Sequence, residues 1–366
     1  MSHYKIAVIP GDGTGPEVVA QGVKVLKSAV KNSSVSLAFT EFNWGAQRYL
    51  STGEVLSDEE MNALRSFDAI YLGAIGDPQV KSGILERGIL LKLRFGLDQY
   101  INYRPVRLYP NVYTPIKGVT DKDIDYLVIR ENTGDLYTGI GSYQNKGTED
   151  ELAIQEMRYS LKQVRRCVRF AFEAAQKRHQ SRIFRGLSEA DLAAGYRGKV
   201  TLCGKTNVLT YVFELWERVF YEIAKEYPQI KTDYTHVDAV CIYMIEDPGR
   251  FDVIVTSNMF GDIITDLAAV TQGGMGVAAG ANINPEGVSM FEPIGGTAPL
   301  FTGKNEINPM AAIGAAHLMM DHLGEPEIAQ KIETAKQKVL LKMKSMAAAK
   351  MGYSTTQIGD MVVESL

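Results

Sequence analysis

The chain has 366 residues, 45% of them hydrophobic, enough for a sizeable core and for more than one domain of usual length. A net charge of −4 and a pI near 5.9, with no run of like charges, exclude the basic footprint of a nucleic-acid partner. No apolar run approaches the roughly 18 residues of a spanning helix, and MSHYKIAVI lacks the features of a secretory signal; a cytoplasmic protein without a membrane partner is expected.

In chain order, Val- and Ile-rich runs alternate with stretches of helical period, which predicts an α/β chain. Strands are expected at residues 5–9, 69–72, 125–129, 200–203 and 251–255. Helices are expected at 16–30, where Pro16 suits a first turn, and at 151–178 and 308–323. Glycines gather in loops such as PGDGTGPE, GIGSYQNKG and TQGGMGVAAG, where function often sits. The charged stretch 178–197 reads as an extended, solvated insertion. Cys167, Cys203 and Cys241 stand singly, without metal spacing or a disulfide framework, so buried, unreactive thiols in a reducing compartment are expected.

NMFGDIITDLAA, residues 258–269, sets Asp262 and Asp266 four positions apart in an apolar stretch. On a helix such residues share a face about 5–6 Å apart. Two like charges so close repel unless a cation lies between them. The preceding FDVIVTSN reads as a buried strand, which puts the pair at a strand's carboxyl end, where open α/β sheets bind ligands. Carboxylate oxygens suit Mg²⁺ or Mn²⁺ rather than zinc. The alternative is one helix-capping aspartate and one facing water.

HVDAV supplies Asp238, a candidate third carboxylate in an apolar neighbourhood. LRFGLDQYINYRPVR carries Arg94, Arg104 and Arg107, and LVIRENTGDLYTG carries Arg130 and Tyr137. Arginine forks beside a metal fit a substrate with two carboxylates; the alternative for each is an ordinary surface position.

Together and in this order, IPGDGTGPE, LGAIGDP, LRFGLDQYINYRP, VIRENTGDLYTG, GKTNVL, HVDA, DPGRFDVIVTSNMFGDIITDLAA, FEPIGGTAP and INPMAAI span nearly the whole chain. They resemble the β-decarboxylating dehydrogenases, which act on isopropylmalate, isocitrate, homoisocitrate or tartrate. The resemblance implies two α/β domains with a central mixed sheet, not a Rossmann fold, despite the glycine loop. It divides the chain into a cofactor domain, 1–98 with 273–366, and a substrate, metal and dimerisation domain, 99–272.

It further implies that Asp262 and Asp266 hold the metal with Asp238 of the partner subunit. Arg94, Arg104 and Arg130 match the substrate-carboxylate arginines, Tyr137 the catalytic tyrosine and Lys205 the catalytic lysine, which enters from the second subunit. A homodimer with shared active sites is therefore implied. In the implied reaction the lysine takes the hydroxyl proton as hydride leaves. The metal stabilises the enolate left by CO₂, and Tyr137 protonates the carbon.

The resemblance implies that the positions facing the substrate's third substituent are those that hold Leu90, Leu91 and Val208, an apolar set that favours an alkyl group, as in the isopropylmalate branch; leucines on a helix are otherwise plain core. Glu292, Gly295, Gly296, Thr297, Ala298, Leu300 and Asn308 match the cofactor segment. Gly295 replaces a histidine expected against the adenine, and Leu300 replaces an Asp or Lys that would read the ribose, so NAD is expected and NADP is kept as possible. Gly204 stands where a His or Asp usually precedes the lysine. A tartrate or other-malate dehydrogenase and a non-catalytic ligand-binding subunit are the alternatives. The second of these has no need of both Tyr137 and Lys205.

Overall fold

The structure is a computed structural model that describes residues 2–366 and divides into two compact units. One is Met1–Gln99, Pro105–Ile124 and Ala269–Leu366, the other Tyr100–Arg104 and Asp125–Ala268. The segment Pro105–Ile124, which sequence placed with the substrate domain, groups here with the terminal segments.

In the first unit the strand order is Val35–Glu41, Ser2–Gly11, Ala69–Ala74, Ser289–Pro293, Ala279–Ile283. The first four strands run parallel and the last is antiparallel to its neighbour, so the sheet is mixed. Ala69–Ala74 is buried along its whole length, as expected of a parallel strand covered on both faces. The chain leaves Ser2–Gly11 through the glycine loop into the helix Gly15–Ala29, with Pro16 in its first turn. Gly11 and Gly13 take the loop through positive φ, 71° and 58°. The Asp12 carboxylate accepts from the backbone amides of Ala46 (2.7 Å) and Gly76 (2.9 Å), so the loop's acid serves the fold.

In the second unit the order is Ile101–Arg107, of which the unit holds the part up to Arg104, then Asp125–Glu131, Val253–Thr256, Gly198–Gly204, Ile230–His236. The helices Leu161–His179 and Thr210–Ala224 pack on one another; the Phe172 and Phe220 rings lie 5.3 Å apart between centroids.

Two expectations are corrected here. The helix predicted over 151–178 begins only at Leu161, because Ser160 and Gln163 close a capping box, and Leu152–Gln155 is a strand paired with Gly141–Gln144. The stretch 178–197 is largely exposed, as expected of a solvated segment, but it is folded and anchored rather than extended. Phe184 and Leu187 are buried, Glu189–Ala193 forms a capped helical turn, and Arg178 and Arg182 reach the fully buried Asp252. Burial raises the thiol pKa of Cys167 and Cys203, and that of the half-buried Cys241 moves the same way. Among the described residues no helix is long and apolar enough to cross a membrane.

Candidate active site

Three elements of the second unit converge on one carboxylate. Asp125–Glu131 delivers Arg130, the 3-10 turn Asp135–Thr138 delivers Tyr137, and the helix Asn258–Thr271 delivers Asp262 and Asp266. Arg130 Nη1 lies 2.5 Å from Asp262 Oδ1, and the Tyr137 hydroxyl donates to Asp262 Oδ2 at 2.8 Å. The Arg130 guanidinium also sits 5.2 Å from the Tyr137 ring centroid. Gly261 makes this approach possible, since a Cβ there would strike the aliphatic stem of Arg130.

Burial opposes the charge on Asp262, but the Arg130 charge and the bonds from Tyr137 and Arg130 outweigh it and hold the carboxyl below its usual range. Asp266 moves the other way: burial, then the Asp262 charge, push its carboxyl up, against the pull of Arg104 and Arg130. The arrangement therefore carries the like-charge tension that a divalent cation relieves, and the Asp262 side chain is still 48% exposed to receive one. The donor set, hard oxygens with no sulfur or imidazole among them, fits Mg²⁺ or Mn²⁺. Arg104 is buried beside the strand end, its Nε donating to Asn102 Oδ1 at 2.5 Å, while Asn102 Nδ2 donates to Asn132 Oδ1 at 3.2 Å.

Lys205 and Asp238 form a second, separate feature of this unit. Lys205 Nζ meets Asp238 Oδ1 at 2.6 Å, and this bond is the main cause that holds the Asp238 carboxyl below its usual range. Asp238 is not set in an apolar neighbourhood: it stands in the first turn of the helix Val237–Glu246 with its side chain 66% exposed. Among the described residues no three His, Cys, Asp or Glu side chains of one chain gather to hold a metal, so Asp238 does not join Asp262 and Asp266 within one chain. Val208 is 65% exposed rather than enclosed. A Cβ on Gly204 would meet Phe213 and Tyr234, so the packing there leaves no room for a larger residue.

In the first unit, Arg94 is buried against Glu292 at 3.3 Å, and Glu292 Oε1 also accepts from Asn282 at 2.8 Å. Leu90 and Leu91 lie on the π-helical segment Glu86–Leu91 before it, and Leu90 packs partly against the core. A cleft of about 320 Å³ is lined by Gly274, Met275, Gly295, Gly296, Asn308 and Met346 among others, none charged. Asn308 is buried, accepting from the Met310 amide at 3.0 Å and donating to the Met346 carbonyl at 3.0 Å. Thr297 binds the glycine loop through the Thr14 amide at 2.9 Å. Ala298 stands at φ 40°, and Leu300 is 80% exposed.

Sequence reading missed Asn102, Asn132, Asp135 and Asn258, buried polar groups that hold the named residues, and the partly buried Tyr159, which donates to Asp135. The only signal of Asn102, Asn132, Asp135 and Asn258 is position: each lies within a few residues of a strand end or helix start that carries a site residue, whereas Tyr159 has no such neighbour.

Comparison with known proteins agrees with the geometry. The family model for isocitrate/isopropylmalate dehydrogenase matches residues 5–362. A 3-isopropylmalate dehydrogenase of Thermobifida fusca (strain YX) is 48% identical over 98% of this chain and 97% of its own length. One from Streptomyces coelicolor is 48% identical over 97% of this chain and 96% of its own. The crystal structure of isocitrate dehydrogenase from Methylococcus capsulatus superposes with a TM-score of 0.83 at 32% identity, covering 99% of both chains. The chain belongs to the isocitrate/isopropylmalate dehydrogenase family.

Proposed function

We propose that this protein is a cytoplasmic, metal-dependent, NAD-linked oxidative decarboxylase of a 3-alkylmalate, with 3-isopropylmalate as substrate. The observation that carries the reading is the convergence of Arg130 and Tyr137 on Asp262, with Asp266 one turn along the helix. A guanidinium for a carboxylate, a phenol for a carbon and paired carboxylates for a cation are the parts this reaction needs. The curated relatives above, similar over nearly full length, support the choice of substrate.

Asp262 and Asp266, with Asp238 of the partner subunit, would hold the Mg²⁺ or Mn²⁺. When bound, the ion would stabilise negative charge on the substrate oxygen as CO₂ leaves. Arg104 and Arg130 bind and orient the carboxylates. Tyr137 donates a proton from its hydroxyl, and Lys205 Nζ, in its neutral amine form, receives the substrate hydroxyl proton. The first unit takes the cofactor: the uncharged, glycine-rich cleft at Gly295 and Asn308 accepts an adenine, and the absence of a cation among its lining residues favours NAD over NADP. Turnover should be measured by reduced-nicotinamide absorbance with 3-isopropylmalate, isocitrate, malate and tartrate, each cofactor and either metal. Isopropylmalate with NAD is expected to lead the next substrate by at least about tenfold in kcat/KM, the scale of alkyl-pocket discrimination. A lead by tartrate or isocitrate contradicts the proposal.

The shared-site homodimer has its own support. Lys205 and Asp238 lie together, apart from the Asp262 pair, as expected if one protomer lends both to its neighbour. Ile242 and Ile245 are exposed on one helix, and Tyr143 and Leu152 on a two-stranded hairpin, a unit of marginal stability alone. Ile242→Asp with Ile245→Asp is expected to shift the protein to monomers by analytical ultracentrifugation and to abolish turnover while the protomer stays folded by circular dichroism. A fully active monomer would refute the shared site.

A further inference from the structure

Three elements carry Arg130, Tyr137 and Asp262, and one buried side chain bonds to the other two from the helix that bears Asp262. Asn258, the first residue of that helix, is 2% exposed. Its Oδ1 accepts from Arg130 Nε at 2.9 Å, and its Nδ2 donates to the Gly134 carbonyl at 3.2 Å, immediately before the turn bearing Tyr137. The partners fix the amide's orientation, because Arg130 Nε can only donate and the carbonyl can only accept. The Asn258 backbone N–H donates to the Tyr159 hydroxyl at 2.8 Å, and the Met259 backbone N–H to Asp135 Oδ2 at 3.0 Å. Tyr159 in turn donates to Asp135 Oδ2 at 3.1 Å. The helix start is thereby tied to the same turn by a second route.

We infer that Asn258 is a positioning residue: one bond of its side-chain amide aims the Arg130 guanidinium, and the other sets the turn that presents Tyr137 to Asp262. The inference rests on the proposed function and deepens it. Only a primary amide of this length supplies one acceptor and one donor in that geometry; an aspartate keeps the first bond and loses the second, and an alanine loses both. The two bonds serve different steps, since Arg130 binds a substrate carboxylate and Tyr137 delivers a proton. Their losses therefore separate in the kinetics.

The test compares Asn258→Ala and Asn258→Asp with the unaltered protein, using 3-isopropylmalate, NAD and Mn²⁺, at a temperature at which circular dichroism shows all three folded. Asn258→Ala is expected to raise KM and lower kcat, each by about tenfold or more, the scale of a bond to a charged group and of a misplaced reactive group. Asn258→Asp is expected to keep KM within about threefold of the unaltered value, because Arg130 retains its acceptor, while kcat stays low. Should Asn258→Ala fail to fold, Asn258→Asp carries the test alone. Parallel changes in its KM and kcat, or no change in either, overturn the inference. No turnover of any malate by the unaltered protein overturns the proposed function and the inference together. Turnover by the unaltered protein with an unchanged Asn258→Ala overturns the inference alone.

Discussion

Lys205→Met is expected to lower kcat for 3-isopropylmalate by about 10²–10⁴-fold, the usual contribution of a positioned proton acceptor, while KM changes only a few-fold. The side chain touches Asp238 and no buried charge, and Asp238 is two-thirds exposed, so its removal leaves no stranded ion and the melting temperature should hardly move. Lys205→Arg should not restore activity. A guanidinium keeps its proton throughout the working pH range, so it preserves the charge beside Asp238 without taking the substrate's proton. The pair of variants separates two accounts of the residue. If the positive charge alone mattered, arginine would recover most of kcat. If proton transfer matters, both variants fall together. Steady-state kinetics with a parallel calorimetric titration of substrate reads this out, and a Lys205→Met protein that keeps more than about a tenth of its kcat would remove the lysine from the chemistry.

The parts of this molecule that sequence disclosed are those whose physics is local. VIVT and AIYLGA are continuous apolar runs because a parallel strand is covered on both faces, and both emerge as fully buried strands. Asp262 and Asp266 announce themselves by a spacing that only a helix turns into proximity. Arg130 could be singled out because it ends such a strand. What stayed hidden depends on partners distant in sequence. Asn258 looks like an ordinary helix-start residue until Arg130, 128 positions away, is seen on its carbonyl oxygen. Asp238 was read as sheltered by its apolar neighbours in sequence, but its helix faces it outward, to Lys205, 33 positions earlier. The start of the helix at Leu161 was obscured for another reason. ELAIQEMRY has enough apolar residues to continue a helical period backwards, and only the Ser160–Gln163 box, a four-residue signal, stops it.

The 178–197 stretch leads to the second large effect. Its density of Arg, Gln and Ser looks solvated, yet two of its arginines are directed inward. Asp252 is fully buried and accepts from Arg178 Nε at 3.0 Å, Arg182 Nη2 at 3.3 Å and the Lys199 amide at 3.2 Å, with His179 Nε2 at 3.4 Å. Arg178 and Arg182 also pair with Asp125, at 3.1 and 3.0 Å, so two acids and two guanidinium groups close on one another. Asp252→Asn keeps the shape and removes the only fully buried charge of this set. The guanidinium groups are only partly exposed, so water repays little of the loss. A destabilisation of about 3–5 kcal/mol is expected, the cost of breaking a buried pair from one side. It would appear as a lower urea midpoint with an unchanged slope. Replacing part of the set by apolar residues, Asp252→Leu with Arg178→Leu, should recover part of that loss, because Arg182 is then the only guanidinium that has lost its buried acceptor, and it keeps Asp125. An Asp252→Asn midpoint within about 0.5 kcal/mol of the unaltered protein, the range of an ordinary surface substitution, would mean that the cluster contributes no more than a surface ion pair does.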